Sequence, residues 1–254
     1  MSSIEKAVER LRGISGNRSR ADVTPKQVEP PSTSDSQVAN FAGHDSSVGQ
    51  STCHIDLERL ERHGFITPLT QRRASVKELQ LLKRPLIKNA FGLGAGGAVE
   101  NSNLVMVTSA LAGEGKTFVA MNLAMSIALE RDTTVLLIDS DVVRPALSRL
   151  LGLDAEPGMT DLILDRNLSV GDVIKSTNID KLRVIPAGRR YVHSAELLAS
   201  EEMHRLAVEL SGRYPNRVVL FDAPPQLATA EASVLAHWMG QILVVVEESS
   251  VAGL

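Results

Sequence analysis

The sequence is poor in cysteine, in aromatic residues and in an excess of either charge. Its single cysteine, Cys53, excludes an internal disulfide framework and is typical of a protein from a reducing compartment. Aromatic residues make up 3% of the 254 residues, which is too few to supply stacking surfaces for single-stranded nucleic acid. Because 27 Lys and Arg stand against 30 Asp and Glu, the formal net charge is -3, and we expect no nucleic-acid partner.

The sequence also lacks long apolar runs and clustered metal ligands. No stretch approaches the roughly 18 apolar residues that a membrane-spanning helix needs. Glu5 and Glu9 lie where a signal peptide would be apolar. The six histidines lie singly, without the spacing of a zinc site. These absences predict a cytoplasmic protein.

The composition changes along the chain and divides it into four parts. Residues 1–12 have apolar residues at helical spacing and are predicted to form an amphipathic helix, either a surface helix or a docking helix for a partner or a membrane. Residues 13–54 are rich in small and polar residues and are predicted to be a disordered linker, because they bury too little apolar surface to offset their ordering entropy. Residues 55–97 are predicted to be a helical segment, bent or divided at Pro85. It leads into one large domain at residues 98–254.

Within residues 98–254, short apolar runs alternate with helical patterns. The runs predicted to be strands are Leu104–Thr108, Thr134–Ile138, Leu182–Ile185, Arg217–Phe221 and Gln241–Val246, and the clearest helices between them are Gly115–Glu130 and Ala195–Gly212. Near-continuous apolar strands are typical of parallel strands that are buried on both faces. The alternation therefore predicts an α/β fold, a doubly wound and mostly parallel sheet flanked by helices.

A glycine-rich segment, residues 109–117, follows the first of these strands and opens a helix, as the phosphate-binding loop of a P-loop NTPase does. Glycines let backbone N–H groups turn toward phosphate oxygens beside the positive end of the helix dipole. Lys116 would reach the β- and γ-phosphates, and the Thr117 hydroxyl would bind Mg²⁺. The residues of the loop and its helix that are predicted to contact the nucleotide are Gly113, Glu114, Gly115, Lys116, Thr117 and Phe118.

Three acidic residues follow the ends of two other strands, at the sheet edge where open α/β sheets bind ligands. A tyrosine hydroxyl is protonated at neutral pH, so a kinase that acts on it benefits from a carboxylate that accepts the proton. Asp139 is our candidate for that base, although its role and that of Asp141 are interchangeable at this point. The candidate catalytic residues are therefore Lys116, Asp139 and Asp141, and the candidate magnesium ligands are Thr117, Asp139, Asp141 and Asp222.

These motifs resemble those of the bacterial tyrosine kinases (BY-kinases) of exopolysaccharide biosynthesis, CpsD/CapB-like, and in particular the exosortase-associated tyrosine autokinase branch. Residues 109–117 resemble the family's Walker A loop, residues 135–141 its additional Walker A′ motif, and residues 219–225 its Walker B motif. Two shorter segments, Gly158–Asp161 and Ile185–Gly188, also resemble family segments.

The resemblance implies a function, cofactors and partners. It implies ATP and Mg²⁺, autophosphorylation on tyrosine, and control of polysaccharide polymerisation and export. A membrane-bound polysaccharide chain-length regulator (Wzz-like) would be the activating partner and would hold the protein at the inner membrane. The resemblance also implies nucleotide binding by Arg144, which lies one residue later than the usual arginine of Walker A′.

The sequence departs from the family pattern in two places. The family continues past the last predicted strand with a helix, a strand and a tyrosine-rich tail, so we expect a C-terminal part to be missing. The chain holds only Tyr191 and Tyr214, both expected to be structural or surface residues. Glu78, Lys83 and Arg84 only partly match the helix through which many members form rings, which leaves a homo-oligomer possible.

Two other functions stay open on the sequence. A partitioning or division-site ATPase switch of the ParA/MinD type has the same fold, but it carries a signature lysine where this chain has Leu111. A non-catalytic nucleotide-binding regulator of a polysaccharide assembly complex would keep the loop without transferring phosphate. Tyrosine phosphotransfer separates both from the kinase.

Overall fold

The computed structural model describes residues 52–68, 74–94, 99–213 and 216–247. The predicted helix at residues 1–12, most of the predicted linker at 13–54, and Tyr214 lie outside the described residues. No helix within the described residues is both long and apolar enough to cross a membrane.

Seven strands of the described chain form one sheet. They are β1 (Thr52–Cys53), β2 (Leu104–Ser109), β3 (Thr134–Asp139), β4 (Lys175–Thr177), β5 (Leu182–Ile185), β6 (Arg217–Asp222) and β7 (Gln241–Val245). Their order across the sheet is β1-β4-β5-β3-β6-β2-β7. The pair β4–β5 is antiparallel and the other five pairs are parallel. The predicted fold class is therefore confirmed.

Nine helices occur in the described residues. They are α1 (Leu57–Arg62), α2 (Ala74–Ala90), α3 (Lys116–Ala128), α4 (Ala146–Leu151), α5 (Met159–Leu164), α6 (Val170–Val173), α7 (Ser194–Leu198), α8 (Glu201–Gly212) and α9 (Ala230–Ala236). Pro85 lies inside α2, which it does not divide. The helix predicted over Ala195–Gly212 is two helices, because the Ser200 hydroxyl accepts a hydrogen bond from the Met203 N–H and caps a new helix, α8.

The core lies on both faces of the central strands. Along β2, Val105 and Val107 belong to the apolar cluster that includes α3, whereas Leu104 and Met106 belong to the cluster that includes α8. This alternation follows from the two-residue period of a strand. Burial on both faces explains why the central strands are near-continuous apolar runs, and it brings the carboxyl ends of β3, β6 and β2 side by side.

One predicted boundary requires correction. Thr52 and Cys53, which the sequence places in the disordered linker, form β1 and pair in parallel with β4. Cys53 is buried, and the Ile55 N–H donates to Asn178 Oδ1 at 2.8 Å. Pairing with a distant strand and burial of apolar side chains therefore order the last residues of this segment.

Candidate active site

The glycine-rich loop between β2 and α3 has a backbone that only glycine adopts freely. Gly113 has φ 97° and Gly115 has φ 87°, both in the left-handed region. A Cβ atom at either position would meet nothing within 4 Å, so the conformation rather than lack of space requires glycine. The Leu111 N–H donates to Glu114 Oε2 at 2.7 Å and closes the loop. The loop thus has the shape of a phosphate cradle at the N-terminus of α3.

Two residues predicted to contact the nucleotide also have protein partners. The Glu114 carboxylate accepts the Leu111 N–H within the loop. The Phe118 ring lies 4.8 Å, centroid to centroid, from the Phe65 ring and packs on the segment that follows α1. The Glu114 carboxylate thus closes the loop, and the nucleotide contacts of Glu114 and Phe118 stay predictions.

Lys116 opens α3 and forms an ion pair with Asp141 just beyond β3. Its Nζ atom lies 3.5 Å from Asp141 Oδ2, and the two side chains are 12% and 5% exposed. The other carboxylate oxygen of Asp141 accepts a hydrogen bond of 2.9 Å from the Arg144 N–H. The predicted Walker A lysine and the second Walker A′ acid are thus held together.

Asp139 ends β3 and is enclosed by hydrogen-bond donors. Its Oδ2 atom accepts from both the backbone N–H and the hydroxyl of Ser148, each at 2.7 Å. Its Oδ1 atom accepts from the Asp141 N–H at 3.3 Å, and the residue has no exposed surface. Burial raises the pKa of the Asp139 carboxyl to about 6, and the Ser148 hydrogen bonds oppose that rise. Both oxygens of this carboxyl group therefore already have hydrogen-bond donors from the protein.

Asp222 ends β6 and is equally buried, but its carboxylate is not enclosed in the same way. Neither of its oxygens has a well-formed hydrogen bond among the described residues. Burial is the main cause that raises the pKa of the Asp222 carboxyl to about 7, and the charge of Asp139 is the second. The Thr117 hydroxyl and Lys116 oppose this rise in pKa. A buried carboxyl that has no well-formed hydrogen bond and lies near the Thr117 hydroxyl is a fitting place for a metal ion.

The acids alone do not build a metal cage. Among the described residues, no group of three or more His, Cys, Asp or Glu side chains is arranged to hold a metal ion by itself. Mg²⁺ at phosphoryl-transfer sites takes one or two carboxylates together with phosphate oxygens and water. Asp222 and Thr117 fit that requirement, whereas the two oxygens of Asp139 are already engaged.

A cavity of about 280 Å³ opens beside Lys116 and Asp141. Its lining residues are Ala112, Lys116, Asp141, Val143, Arg144, Ala146, Arg149, Pro225, Ala228 and Thr229. The predicted residues Lys116, Asp141 and Arg144 therefore share one cavity. Arg149 and Thr229 belong to no sequence motif. They line the cavity because of the positions of α4 and of the segment before α9.

Two turns that contain Gly158 and Gly188 are hydrogen-bonded to each other and to Ser148. The Met159 and Thr160 N–H groups donate to the carbonyls of Pro186 and Ala187, each at 2.9 Å. A Cβ atom at Gly158 would lie 2.0 Å from the Pro186 carbonyl oxygen, so only glycine allows this approach. The Ala187 N–H in turn donates to the Ser148 hydroxyl at 3.0 Å. Ser148, another residue that the sequence did not reveal, thus joins the turns to Asp139.

The chain is similar to proteins of known family. Residues 102–253 match the family model described as an AAA domain. The tyrosine-protein kinase YwqD of Bacillus subtilis is 37% identical over 142 residues, which are 56% of this chain and 58% of that protein. The tyrosine-protein kinase ptk of Acinetobacter johnsonii is 33% identical over 144 residues, which are 57% of this chain and 19% of that protein. The chain thus spans only part of the length of these relatives.

Solved structures give the same family. The VpsO kinase domain is 30% identical with a TM-score of 0.52, and the match covers 68% of this chain and 83% of that one. The kinase domain of the Escherichia coli tyrosine kinase ETK is 26% identical with a TM-score of 0.60, and the match covers 79% of this chain and 80% of that one. The chain therefore belongs to the AAA domain family, in its branch of bacterial tyrosine-kinase domains.

Proposed function

We propose that this chain is an ATP-dependent protein-tyrosine kinase, an autokinase that regulates exopolysaccharide polymerisation and export. The observation that carries the proposal is the Lys116–Asp141 ion pair at the mouth of a phosphate-binding loop, beside a cavity open to an acceptor. A lysine at the γ-phosphate end of such a loop stabilises the charge that develops on the transferred group. Similarity to the kinases YwqD and ptk supports the assignment.

The loop and the strand ends have separate roles in this proposal. The N–H groups of Gly113 to Thr117 would bind the phosphates of ATP, and Arg144 would contact its outer end. Thr117 and Asp222 would hold Mg²⁺, which neutralises phosphate charge when bound. Because Asp222 is buried without a well-formed hydrogen bond among the described residues, its carboxylate has a lone pair to give.

Asp141, rather than Asp139, is the general base that the geometry favours. Asp141 lines the cavity, whereas Asp139 is enclosed by Ser148 and by the Asp141 N–H. In the transfer step the acceptor phenol oxygen forms a bond to the γ-phosphorus, and the bond from that phosphorus to the β,γ-bridging oxygen breaks. ADP leaves, and the phenolic proton passes to the Asp141 carboxylate.

The partner and the location follow from the family resemblance. A membrane-bound polysaccharide chain-length regulator would bind the kinase and keep a cytoplasmic protein at the inner membrane. Association of several copies through α2 is a further part of the proposal. Lys83 of α2 is not available to such a contact, because its Nζ atom bonds Ser126 O at 3.0 Å and Glu130 Oε1 at 2.6 Å.

The proposal is tested with the purified chain, ATP, Mg²⁺ and a tyrosine-containing acceptor peptide, read by phosphotyrosine immunoblot and by phosphate release. We expect phosphotyrosine on the peptide, reduced about 100-fold or more in Lys116→Ala because one preorganised charge contact is lost. Arg131→Ala, at an exposed position between α3 and β3, is the control. Phosphate release without phosphotyrosine would favour an ATPase switch. ATP binding with neither product would favour a non-catalytic regulator.

A further inference from the structure

Two arginines on the wall of the active-site cavity have no acidic partner. Arg144 and Arg149 both line the cavity, and neither forms an ion pair with any residue that the structure describes. Some exposed arginines elsewhere are paired and others, such as Arg131 and Arg190, have no ion pair among the described residues, so the position of Arg144 and Arg149 on the cavity wall is what distinguishes them. Arg166 and Arg205 bind Glu202, and Arg189 binds Asp161. The two cavity arginines are therefore available to an anionic ligand.

The net charge of the cavity wall is positive. Lys116 and Asp141 compensate one another in their ion pair. No other acidic residue lines the cavity, so the charges of Arg144 and Arg149 remain uncompensated there. Arginines that face a ligand site without a partner attract carboxylates or phosphates, which their planar guanidinium groups bind through paired hydrogen bonds.

The rest of the lining suits an aromatic ring. Ala112, Val143, Ala146, Pro225 and Ala228 provide apolar wall. The volume of about 280 Å³ exceeds the roughly 150 Å³ of an apolar protein cavity that holds benzene. The cavity therefore has the volume for a phenol ring, and Asp141 supplies the one carboxylate on its wall.

The cavity lies beside the phosphate-binding turn. Its lining includes Ala112 and Lys116 of the loop, but none of Gly113, Glu114 and Gly115. Ala146 and Arg149 are three residues apart on α4 and so share one helix face toward the cavity. Arg144 directly follows the strand-end acids, and its N–H bonds Asp141. The Arg144 backbone is thus held by Asp141, the ion-pair partner of Lys116, whereas Arg149 lies on α4.

We propose that this cavity binds the side chain of the acceptor tyrosine and that Arg149 selects acceptors with acidic residues next to that tyrosine. The inference rests on the proposed kinase function and names the substrate class: an acidic tyrosine-containing peptide segment. Arg144 serves the nucleotide, and Arg149 serves the acceptor. Tyr191, which follows Arg189 and Arg190, does not carry the acidic neighbours that this site would prefer.

The first test measures binding and does not require phosphotransfer. Three fluorescent peptides are identical except that the residues on both sides of the tyrosine are Glu, Gln or Lys, and anisotropy gives their Kd for the full chain. We expect the Glu peptide to bind about fivefold more tightly than the Gln peptide, the gain of one exposed ion pair. Arg149→Ala should abolish that preference, and Arg149→Lys should keep most of it. Arg166→Ala, outside the cavity, should leave it unchanged.

Charge reversal makes the test sharper. Arg149→Glu should bind the Lys peptide best, which a damaged fold would not produce. If Arg149→Ala weakens all three peptides equally, or if the wild-type chain does not distinguish them, the proposal is wrong. A wild-type chain without kinase activity would contradict the proposed function. The peptide binding constants do not depend on phosphotransfer and would still test the role of Arg149.

The second test uses steady-state kinetics with the same peptides. Arg149→Ala should raise KM for the Glu peptide about fivefold, with kcat and the KM for ATP nearly unchanged. A raised KM for ATP with every acceptor would instead assign Arg149 to the nucleotide and overturn the proposal. The peptide preference should also shrink between 50 mM and 500 mM NaCl, because salt screens exposed charges.

Discussion

Asp139 of β3 and Asp222 of β6 are register partners at the carboxyl ends of two adjacent parallel strands, and both are fully buried. Their charges oppose one another, since the Asp139 charge raises the pKa of the Asp222 carboxyl. Ser148 compensates Asp139 with two hydrogen bonds, whereas Asp222 has no equivalent donor among the described residues. The folded chain therefore holds one carboxyl group in an unfavourable state, as active sites commonly do.

This relationship predicts that Asp222→Asn stabilises the nucleotide-free protein at high pH. The folded pKa of Asp222, about 7, lies above its ordinary value, so the folded state binds a proton that the unfolded state has released. This proton binding by Asp222 contributes to the free energy of unfolding. The contribution is complete below about pH 4 and is lost as pH rises through about 7. At pH 8 we expect Asp222→Asn to raise the free energy of unfolding by on the order of 2 kcal/mol.

Urea unfolding in EDTA at pH 5 and pH 8 checks this prediction. Asp222→Asn should increase the free energy of unfolding only slightly at pH 5, because the wild-type Asp222 carboxyl is already protonated there in the folded state. Glu196→Gln, an exposed carboxyl on α7, is the control and should change stability little at either pH. A variant that is less stable than the wild type at pH 8 would contradict this account of Asp222.

Ser148→Ala should destabilise the chain. The Ser148 hydroxyl donates to Asp139 and accepts the Ala187 N–H, and the residue is 1% exposed. Its loss leaves a buried N–H without its acceptor and removes a donor from a buried carboxylate, which costs about 1–3 kcal/mol. Thermal unfolding compares it with Ser233→Ala, whose hydroxyl makes a 3.3 Å bond at the surface. Equal melting temperatures for the two variants would exclude a structural role for Ser148.

Two glycine-to-alanine changes should have opposite signs. In Gly158→Ala the new Cβ would meet the Pro186 carbonyl oxygen at 2.0 Å and the Gly188 nitrogen at 2.5 Å, both backbone atoms. We expect a loss of about 3 kcal/mol or more, or no folded protein. Gly212→Ala at the end of α8 meets nothing within 4 Å and should gain up to about 1 kcal/mol. Urea unfolding midpoints of both variants and of the wild type test these signs. A Gly158→Ala midpoint equal to that of the wild type would contradict the close packing of the two turns.

The sequence predicts the central sheet well because burial leaves a local signal. β2, β3 and β6 are apolar on both faces, and each predicted strand ends within one residue of the observed one. β1 and β4 leave no such signal. They have two and three residues, and they form because distant segments pair, as Thr52 does with Ser176. Such short strands depend on tertiary contacts that local composition does not encode.

The residues of the candidate site also fall into two groups, those that a sequence motif predicts and those that only tertiary contacts reveal. Loop residues such as Gly115 and Lys116 have a motif whose spacing states their chemistry, and the strand-end acids are found from the strands. The enclosure of Asp139 comes from Ser148, nine residues later on α4, and no spacing rule marks that serine. Arg149 likewise becomes a cavity residue only once α4 is placed against the loop. Contacts between elements, rather than motifs, decide which acid faces the cavity.

Asp141→Asn and Asp139→Asn should therefore fail in different ways. Asparagine at 141 still accepts the Arg144 N–H but neither takes a proton nor carries the charge that pairs with Lys116. We expect kcat of tyrosine phosphorylation to fall about 100-fold or more, with the melting temperature little changed. Asparagine at 139 would turn an NH₂ group toward donors that need an acceptor, so its first effect should be a lower melting temperature. Single-turnover kinetics and thermal unfolding on both variants separate the two. An inactive Asp139→Asn of normal stability, beside an active Asp141→Asn, would return the role of base to Asp139.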